Sequence, residues 1–467
     1  MAGGQLDPVA RSEPIPKGRI LGYAVGSTGT GVFSTVPGLL LLFYLTDVLG
    51  VAAAIAGAIV VVPKIWDVIF NPFVGAASDR QAIRTGTRTR LMLVGALTLP
   101  VAFALIFAGV GTGSTAAAWV TVTFLLAATC YALFQVPYVA QPTEMSEDPD
   151  QRSKVMGWRI VALTLGILVG GAIAPIIVNQ SGGGVAGYRV MGIVVALIMM
   201  TAMLTAALST RWVQSRPGQD PLGFAAALRV ARGNRAFTAL LVSFVLQALG
   251  IAVTLAAIAY VCTYYLDNYG LTSVIFVLIV APSVFVVPMW VKAGNRWGKW
   301  RILLVNAGGF AAVFVLFTIA VWLESTPAVL GAALLVGVFY GGSQVLPLAM
   351  LTDAIIADQA RTQQRQAGAF TGVWTASETA AFALGPGIFA MLLAVTGFTS
   401  STFDEPVTQS SSALAGILIG AGVVPAVLFG ISLPFIVKYG RTPAARIGQH
   451  RDPGLDDATG QSLWSDA

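Results

Sequence analysis

The residue with the most chemistry to offer stands where lipid is expected. Asp67 lies in KIWDVIFNPFVGAASDR, residues 64–80, inside a long apolar stretch. Lys64 comes three residues earlier, so the two side chains share one helical face and can pair. Ionisable groups at membrane depth are costly and are usually kept where they line a cavity, an ion path or a substrate path. Two readings therefore stand: a Lys–Asp clip between helices, or a cavity coupled to a cation or substrate. Arg159, in MGWRIVALTLG, and Glu378, in TASETAAFALGP, are two further ionisable groups at that depth. A buried carboxylate without a partner tends to hold a proton, which makes Glu378 a candidate proton carrier. The equal alternative is a tie from Glu378 to Arg159 or Lys64. Gln135, Tyr138, Gln141, Gln344 and Trp374 add amides, a hydroxyl and an indole. Amides and hydroxyls suit sugar hydroxyls, and an aromatic face suits the apolar face of a sugar ring or an acyl chain. Each suits helix packing equally well.

These side chains need elements that hold them in lipid. Of 467 residues, 56% are hydrophobic and only 10% charged, and the mean hydropathy is +0.79. A soluble domain carries about 25% charged residues. Twelve stretches are long and apolar enough to cross a bilayer, which takes about 20 residues each. They are 20–46, 51–78, 90–110, 116–140, 155–178, 188–209, 236–266, 272–292, 301–323, 327–352, 367–397 and 413–437. Prolines such as Pro63, Pro72, Pro137, Pro282 and Pro347 fall inside them, as membrane helices tolerate. The small residues of 166–171 would let helices approach closely. The first eighteen or so residues are polar or mixed and lack a short apolar core with a cleavage site, so the first span is expected to stay in the chain.

Charge sets the orientation. Arg80, Arg84, Arg88 and Arg90 follow the second span, and Arg152 and Lys154 follow the fourth. Arg211, Arg216, Arg229, Arg232 and Arg235 follow the sixth, Lys292, Arg296, Lys299 and Arg301 the eighth, and Arg361 and Arg365 the tenth. The other links hold Arg189 and otherwise mostly acids: Asp47, Asp267, Glu324, Asp404 and Glu405. By the positive-inside rule both termini are cytoplasmic, in a multi-pass protein of the cell membrane. The net charge of +6 is then a topology signal and not a nucleic-acid footprint. Cys130 and Cys262, both in apolar runs, suggest neither a disulfide framework nor a metal site. His450 lies on the polar tail and is expected to be neither catalytic nor a metal ligand. There is no HExxH, no nucleophile elbow and no GxxxxGK[ST], which argues against an enzyme and against ATP as the energy source.

The chain also repeats. SDRQAIRTGTRTR, 78–90, and GNRWGKWR, 294–301, are basic turns at equivalent places in two six-span halves. Duplicated bundles with a cavity at their interface are a common transporter plan. The expected organisation is a cytoplasmic segment 1–19, a six-helix bundle 20–209 and a cytoplasmic linker 210–235. A second six-helix bundle, 236–437, and a disordered cytoplasmic tail, 438–467, complete it. Within the linker, GFAAALRVARGNRAF reads as a short amphipathic helix or a plain connector.

Four motifs in order resemble one family. FYLTDVLGV at 43–51, KIWDVIFNPFVGAASDR at 64–80, VPYVAQPTEMSEDPDQR at 136–152 and LTDAIIADQARTQQRQAG at 351–368 are similar to the major facilitator superfamily. Within it they resemble the glycoside–pentoside–hexuronide:cation symporters. The resemblance implies an all-α polytopic fold, twelve transmembrane helices in two six-helix halves around a central cavity. It implies a secondary transporter working by alternating access, most simply for a glycoside or related sugar with Na+ or H+. By resemblance Asp67, Asn71 and Glu378 become coupling candidates, with Na+ at Asp67 and Asn71. Lys64, Gln135, Tyr138, Arg159, Gln344 and Trp374 become cavity candidates. Asp79, Arg80, Arg88, Arg90, Glu144, Arg152 and Asp353 become gating contacts on the cytoplasmic side.

The departures bear on coupling and substrate. The family's second acid of span two is Asn71 here, whose amide can ligate sodium but supplies no charge and carries no proton. Acids expected in spans one and four are replaced, by spacing, with Gly31 and Gln135, and the lysine of span eleven with Glu378. A branch of the family moves lysophospholipids, so an amphipathic substrate is the alternative. From another class comes a non-transporting sensor or scaffold on the same fold. No cofactor beyond the coupling ion is expected. The partners are a small-molecule substrate and the bilayer, and the chain is expected to be a monomer.

Overall fold

The computed structural model describes residues 15–146, 148–214, 224–363 and 366–447. His450, Arg216, Arg365 and the tail from 448 onward lie outside the described residues. Among those residues the regular structure is helical, with two isolated β-bridges. Twelve helices are long and apolar enough to cross a membrane. In chain order they are α1 Lys17–Leu41, α2 Ala53–Thr85, α3 Thr89–Ile106, α4 Gly113–Met145, α5 Gln151–Gln180 and α6 Gly184–Ser209. After a short helix, α7 Phe224–Gly233, come α8 Arg235–Tyr264, α9 Leu271–Trp297 and α10 Lys299–Trp322. Then follow α11 Thr326–Thr362, α12 Ala367–Val395 and α13 Ser411–Gly440. Helices answer the solvent: in hydrocarbon every backbone N–H and C=O must be bonded within the segment.

Hydropathy and helix length part company at one end of the even-numbered spans. The apolar stretches 51–78, 116–140, 272–292 and 327–352 become helices that run on to Thr85, Met145, Trp297 and Thr362. Hydropathy marks the slab of lipid, whereas a helix continues for as long as its own hydrogen bonds do. At about 1.5 Å per residue, a 33-residue helix such as α2 is about 50 Å long against about 30 Å of hydrocarbon. The excess carries Asp79, Arg80 and Arg84 beyond the apolar stretch. Wide π-turns at Val169–Ile173 in α5 and Ile419–Val423 in α13 come just before Pro175 and Pro425. Each proline lacks an N–H and its ring crowds the carbonyl four residues back, and the wider turn makes the room.

The chain divides into two compact units, Met1–Gln219 with Leu393–Ala413, and Asp220–Leu392 with Leu414–Ala467. In the first, α1 packs along α5 and α6, α3 along α4 and α6, and α2 along α4. In the second, α8 packs along α13, α10 along α11 and α13, and α9 along α11. Ring pairs Phe237–Phe370, Phe244–Trp374 and Tyr260–Phe389 join α8 to α12, matching α1 with α5. The internal repeat is therefore one of packing as well as of loops.

Small residues set the closest crossings. A Cβ on Gly166 would run into the backbone of Thr28, and one on Gly31 would lie 2.6 Å from the carbonyl oxygen of Leu163. In the second unit a Cβ on Gly385 would strike Ala252. Gly31 corrects an expectation. Its place, read by spacing as a sugar-site position, is pressed against the α5 backbone and has no room for any side chain.

Candidate substrate and coupling site

Among the side-chain polar atoms of the first unit that are buried without a hydrogen-bond partner are Asp67 Oδ1 on α2, Gln135 Oε1 on α4 and Arg159 Nε on α5. A buried polar atom left unpaired costs about 1–3 kcal/mol, so three near one aromatic cluster need a reason. Tyr131 is the hub of that cluster. It lies within electrostatic range of both Asp67 and Arg159, and its ring stacks on Phe33 with centroids 4.7 Å apart. The Lys64 ammonium sits 6.0 Å over the other ring of that stack, Phe33. The Arg159 guanidinium lies 5.6 Å over the ring of Tyr138.

Helical spacing brings these groups into stripes. Lys64, Asp67 and Asn71 are at i, i+3 and i+7 on α2, and Tyr131, Gln135 and Tyr138 at i, i+4 and i+7 on α4. Asp67 is 7% exposed, Asn71 is exposed, and Lys64, Gln135 and Arg159 are half-buried. The direct Lys64–Asp67 ion pair expected from their spacing does not form among the described residues. An aromatic face competes for the ammonium, and Phe33 takes it. With Arg159 on α5, this surface sets two cations against one carboxylate.

Tyr138 stands behind this surface. It is fully buried, stacked on Tyr23 at 4.6 Å and on Phe134 at 5.0 Å. Its hydroxyl is 2.8 Å from Ser27 Oγ and donates to the Tyr23 carbonyl at 2.9 Å. Its exposed area is nil, so what it offers a cavity is support for Arg159. Gln141 is buried too, its amide against the Met92 sulfur at 3.2 Å.

In the second unit, Glu378 on α12 is half-buried and makes no ion pair among the described residues of its unit. Its electrostatic neighbour is Tyr340 on α11, whose hydroxyl accepts from Gln344 Nε2 at 2.9 Å. Gln344 is exposed. Trp374, one turn before Glu378, is 2% exposed and stacked on Phe244 at 4.2 Å. Its Nε1 has no partner. Its ring belongs to the α8–α12 packing, and its N–H alone is left over.

The charged loops form compact latches. Arg88, at the start of α3, donates from Nε to Glu144 at 2.8 Å, and from Nη1 to Asp79 at 2.6 Å and Ser78 at 2.8 Å. Burial alone would push this guanidinium down, but Glu144 and Asp79 outweigh it and hold it above its ordinary range. Lys299, at the start of α10, donates to both oxygens of Asp353 on α11, at 2.9 and 2.7 Å. Arg88 and Glu144 are 56 residues apart, and Lys299 and Asp353 are 54. The two latches are repeats of one another. Lys299 was read from sequence only as topology; the equivalence of the two basic turns was the signal that could have found it. Arg80 and Arg90 are exposed and Arg152 half-exposed, and none of the three is in an ion pair among the described residues.

No group of three or more His, Cys, Asp or Glu side chains able to hold a metal occurs among the described residues. A sodium ion asks less of the protein. Asp67 offers a free buried oxygen and Asn71, one turn on, an exposed amide oxygen, and water or substrate hydroxyls can complete a hard cation's shell.

Known proteins share this architecture. The glucuronide carrier protein homolog of Escherichia coli K12 is 24% identical over 412 residues, covering 87% of this chain and 88% of that protein. The sodium-dependent lysophosphatidylcholine symporter 1 of Mus musculus is 24% identical over 369 residues, 71% of this chain and 69% of that one. Among solved structures, a bacterial homolog of the human lysosomal transporter Spinster superposes with a TM-score of 0.70. That match covers 93% of this chain and 99% of the other at 13% identity, and it concerns the fold. The family described as MFS/sugar transport protein matches residues 22–440, nearly all of the helical chain, and this multi-pass membrane protein belongs to it.

Proposed function

We propose that the chain is a secondary transporter that carries a small glycoside across the cell membrane with a cation, by alternating access. The observation that carries this reading is the trio of unpartnered buried atoms, Asp67 Oδ1, Gln135 Oε1 and Arg159 Nε, beside the Phe33–Tyr131 stack. Two acceptors and a donor beside aromatic faces match a sugar, which presents hydroxyls at its rim and C–H groups on its faces. The charge count narrows the substrate. Lys64 and Arg159 against Asp67 leave one positive charge, and a sodium ion at Asp67 would leave two. A glycoside bearing one carboxylate fits better than a neutral one, and Arg159 is the group to receive it.

In this reading Asp67 and Asn71 hold sodium, and Glu378 beside Tyr340 is the proton carrier if uptake proves indifferent to sodium. Gln344 and the Trp374 N–H are the polar groups that the second unit offers a solute. The Arg88–Asp79–Glu144 and Lys299–Asp353 latches hold the cytoplasmic side, with Arg80, Arg90 and Arg152 as free charges around the first. Residues 20–209 and 236–437 act as the two bundles, 210–235 as their linker, and both termini face the cytoplasm. The protein works as a monomer.

A lysophospholipid-like solute is the second reading. A phosphate also suits Lys64 and Arg159, and the mouse relative is named for such a substrate. Thermal unfolding of purified protein with phenyl glucuronide, phenyl glucoside or lysophosphatidylcholine, each in NaCl and in KCl, separates the two. A ligand at 100 times its Kd stabilises by about 2.7 kcal/mol. A sodium-enhanced shift with the glucuronide supports the glycoside reading. A shift with the lysolipid alone replaces it. A glucuronide shift without uptake into proteoliposomes would make the chain a sensor.

A further inference from the structure

Residues 396–410, the link between α12 and α13, leave the company of the helices they join. Leu393–Ala413 groups with the first unit, whereas Leu392 and Leu414 on either side belong to the second. The link is shaped for its seat. The Gln409 side chain closes it into a loop, accepting the Thr399 N–H at 3.0 Å and donating to the Thr399 carbonyl at 2.8 Å. The Ser401 N–H donates to the Thr46 carbonyl beyond the end of α1 at 2.9 Å, and Thr402 forms an antiparallel bridge with Leu49.

Three glycines clear the ground beneath it. Gly183, just before α6, and Gly184, its first residue, lie under the ring of Phe403. A Cβ on either would come within 3.1 and 2.6 Å of that ring. Gly50 leaves space for the Thr402 methyl, which would stand 3.3 Å from a Cβ there. All three have positive φ, 68°, 52° and 66°, which side chains rarely adopt. The seat is shallow, and Phe403 remains 52% exposed while in it. One backbone hydrogen bond, one bridge and one ring face are contacts that release without unfolding a helix.

We propose that residues 396–410 are a clasp on the first unit, at the end opposite its Arg88 latch. Resting on the transporter reading proposed above, the clasp seated on Thr46, Leu49 and the Gly183–Gly184 turn keeps the site of the first unit closed to the outside. It leaves that seat each time the site opens outward.

The test needs no substrate. Bridge partners such as Leu49 and Thr402 stand about 5 Å apart at Cα, within disulfide reach. A Leu49→Cys/Thr402→Cys pair is oxidised in whole cells and scored by mass-tagging of free thiols. A third change, Gln135→Cys, reports outward opening by its labelling with a membrane-impermeant maleimide. The clasp predicts at least a tenfold slower labelling after oxidation, restored by reductant. Failure of the disulfide to form, or equal labelling with and without it, overturns the proposal. Should the triple variant not reach the membrane, Phe403→Ala with Gln135→Cys is the second measurement. It should label several-fold faster than Gln135→Cys alone, and equal rates overturn the clasp as well.

Discussion

Asp67, Gln135 and Arg159 each bury a polar atom with nothing to bond, and replacing such an atom tests the ligand more than the fold. Asp67→Asn removes a buried carboxylate whose Oδ1 has no hydrogen-bond partner and which makes no direct ion pair among the described residues, so the ligand-free protein should unfold at the same temperature or higher. The sodium-enhanced part of the glucuronide shift should vanish at the same time. A sodium response that survives would clear Asp67 of any part in coupling. Arg159→Gln removes a charged donor worth about 1.5–3 kcal/mol, or roughly 10- to 100-fold in affinity for the glucuronide. The phenyl glucoside should lose much less. Titration calorimetry on both ligands reads the difference, and equal losses would contradict a carboxylate at Arg159.

Elements differ in how far side chains can yield. At the α1–α5 crossing Gly166 meets Thr28 backbone, which cannot move aside. Gly166→Leu should cost at least the 1–3 kcal/mol of ordinary overpacking and show as lower yield and a lower Tm. In the Arg88 latch the two acids are unequal. Glu144 is 8% exposed and Asp79 56%. Glu144→Ala leaves a buried guanidinium half-paired and should cost about 3–5 kcal/mol, whereas Asp79→Ala should cost about 0–1 kcal/mol. Since Arg88 is held above the ordinary arginine range, its contribution is fully present below that range and is lost only as pH rises beyond it. Deprotonation of Arg88 should therefore not change the latch between pH 6 and pH 9 in a melting series.

The twelve helices were legible in sequence because lipid leaves the backbone one solution per span. Their ends were not, because Asp79 and Arg80 belong to α2 by hydrogen bonding and to water by hydropathy. Asp67, Lys64 and Arg159 were legible because charge in an apolar run is conspicuous. The facing of α1 was not: spacing from a landmark set Gly31 beside a sugar, and packing sets it against α5. The Lys64–Asp67 pair failed for a similar reason. Sequence spacing shows which groups share a stripe but not the Phe33 ring that competes from another helix.

For the whole molecule the charge balance has an electrical reading. A monoanion entering with one sodium ion moves no net charge, whereas a neutral glycoside entering with one sodium ion moves one. On a supported membrane, a glucuronide jump in sodium should give uptake of labelled solute without a sustained current. A current that scales with that uptake would contradict the one-to-one pairing, whatever the affinities. The same packing of helices in both units, with a latch at the same seam of each, gives that exchange two matched bodies to work with.

Each unit also carries one thiol. Cys130 on α4 and Cys262 on α8 are free and buried, 5% and 0% exposed. A polar maleimide in water has little to attack, so the wild-type chain should be almost silent to labelling. A spin label or fluorophore placed at one engineered surface cysteine in each unit would then report distances against a clean background. The conformational cycle is open to spectroscopy without first stripping the protein of its own sulfur.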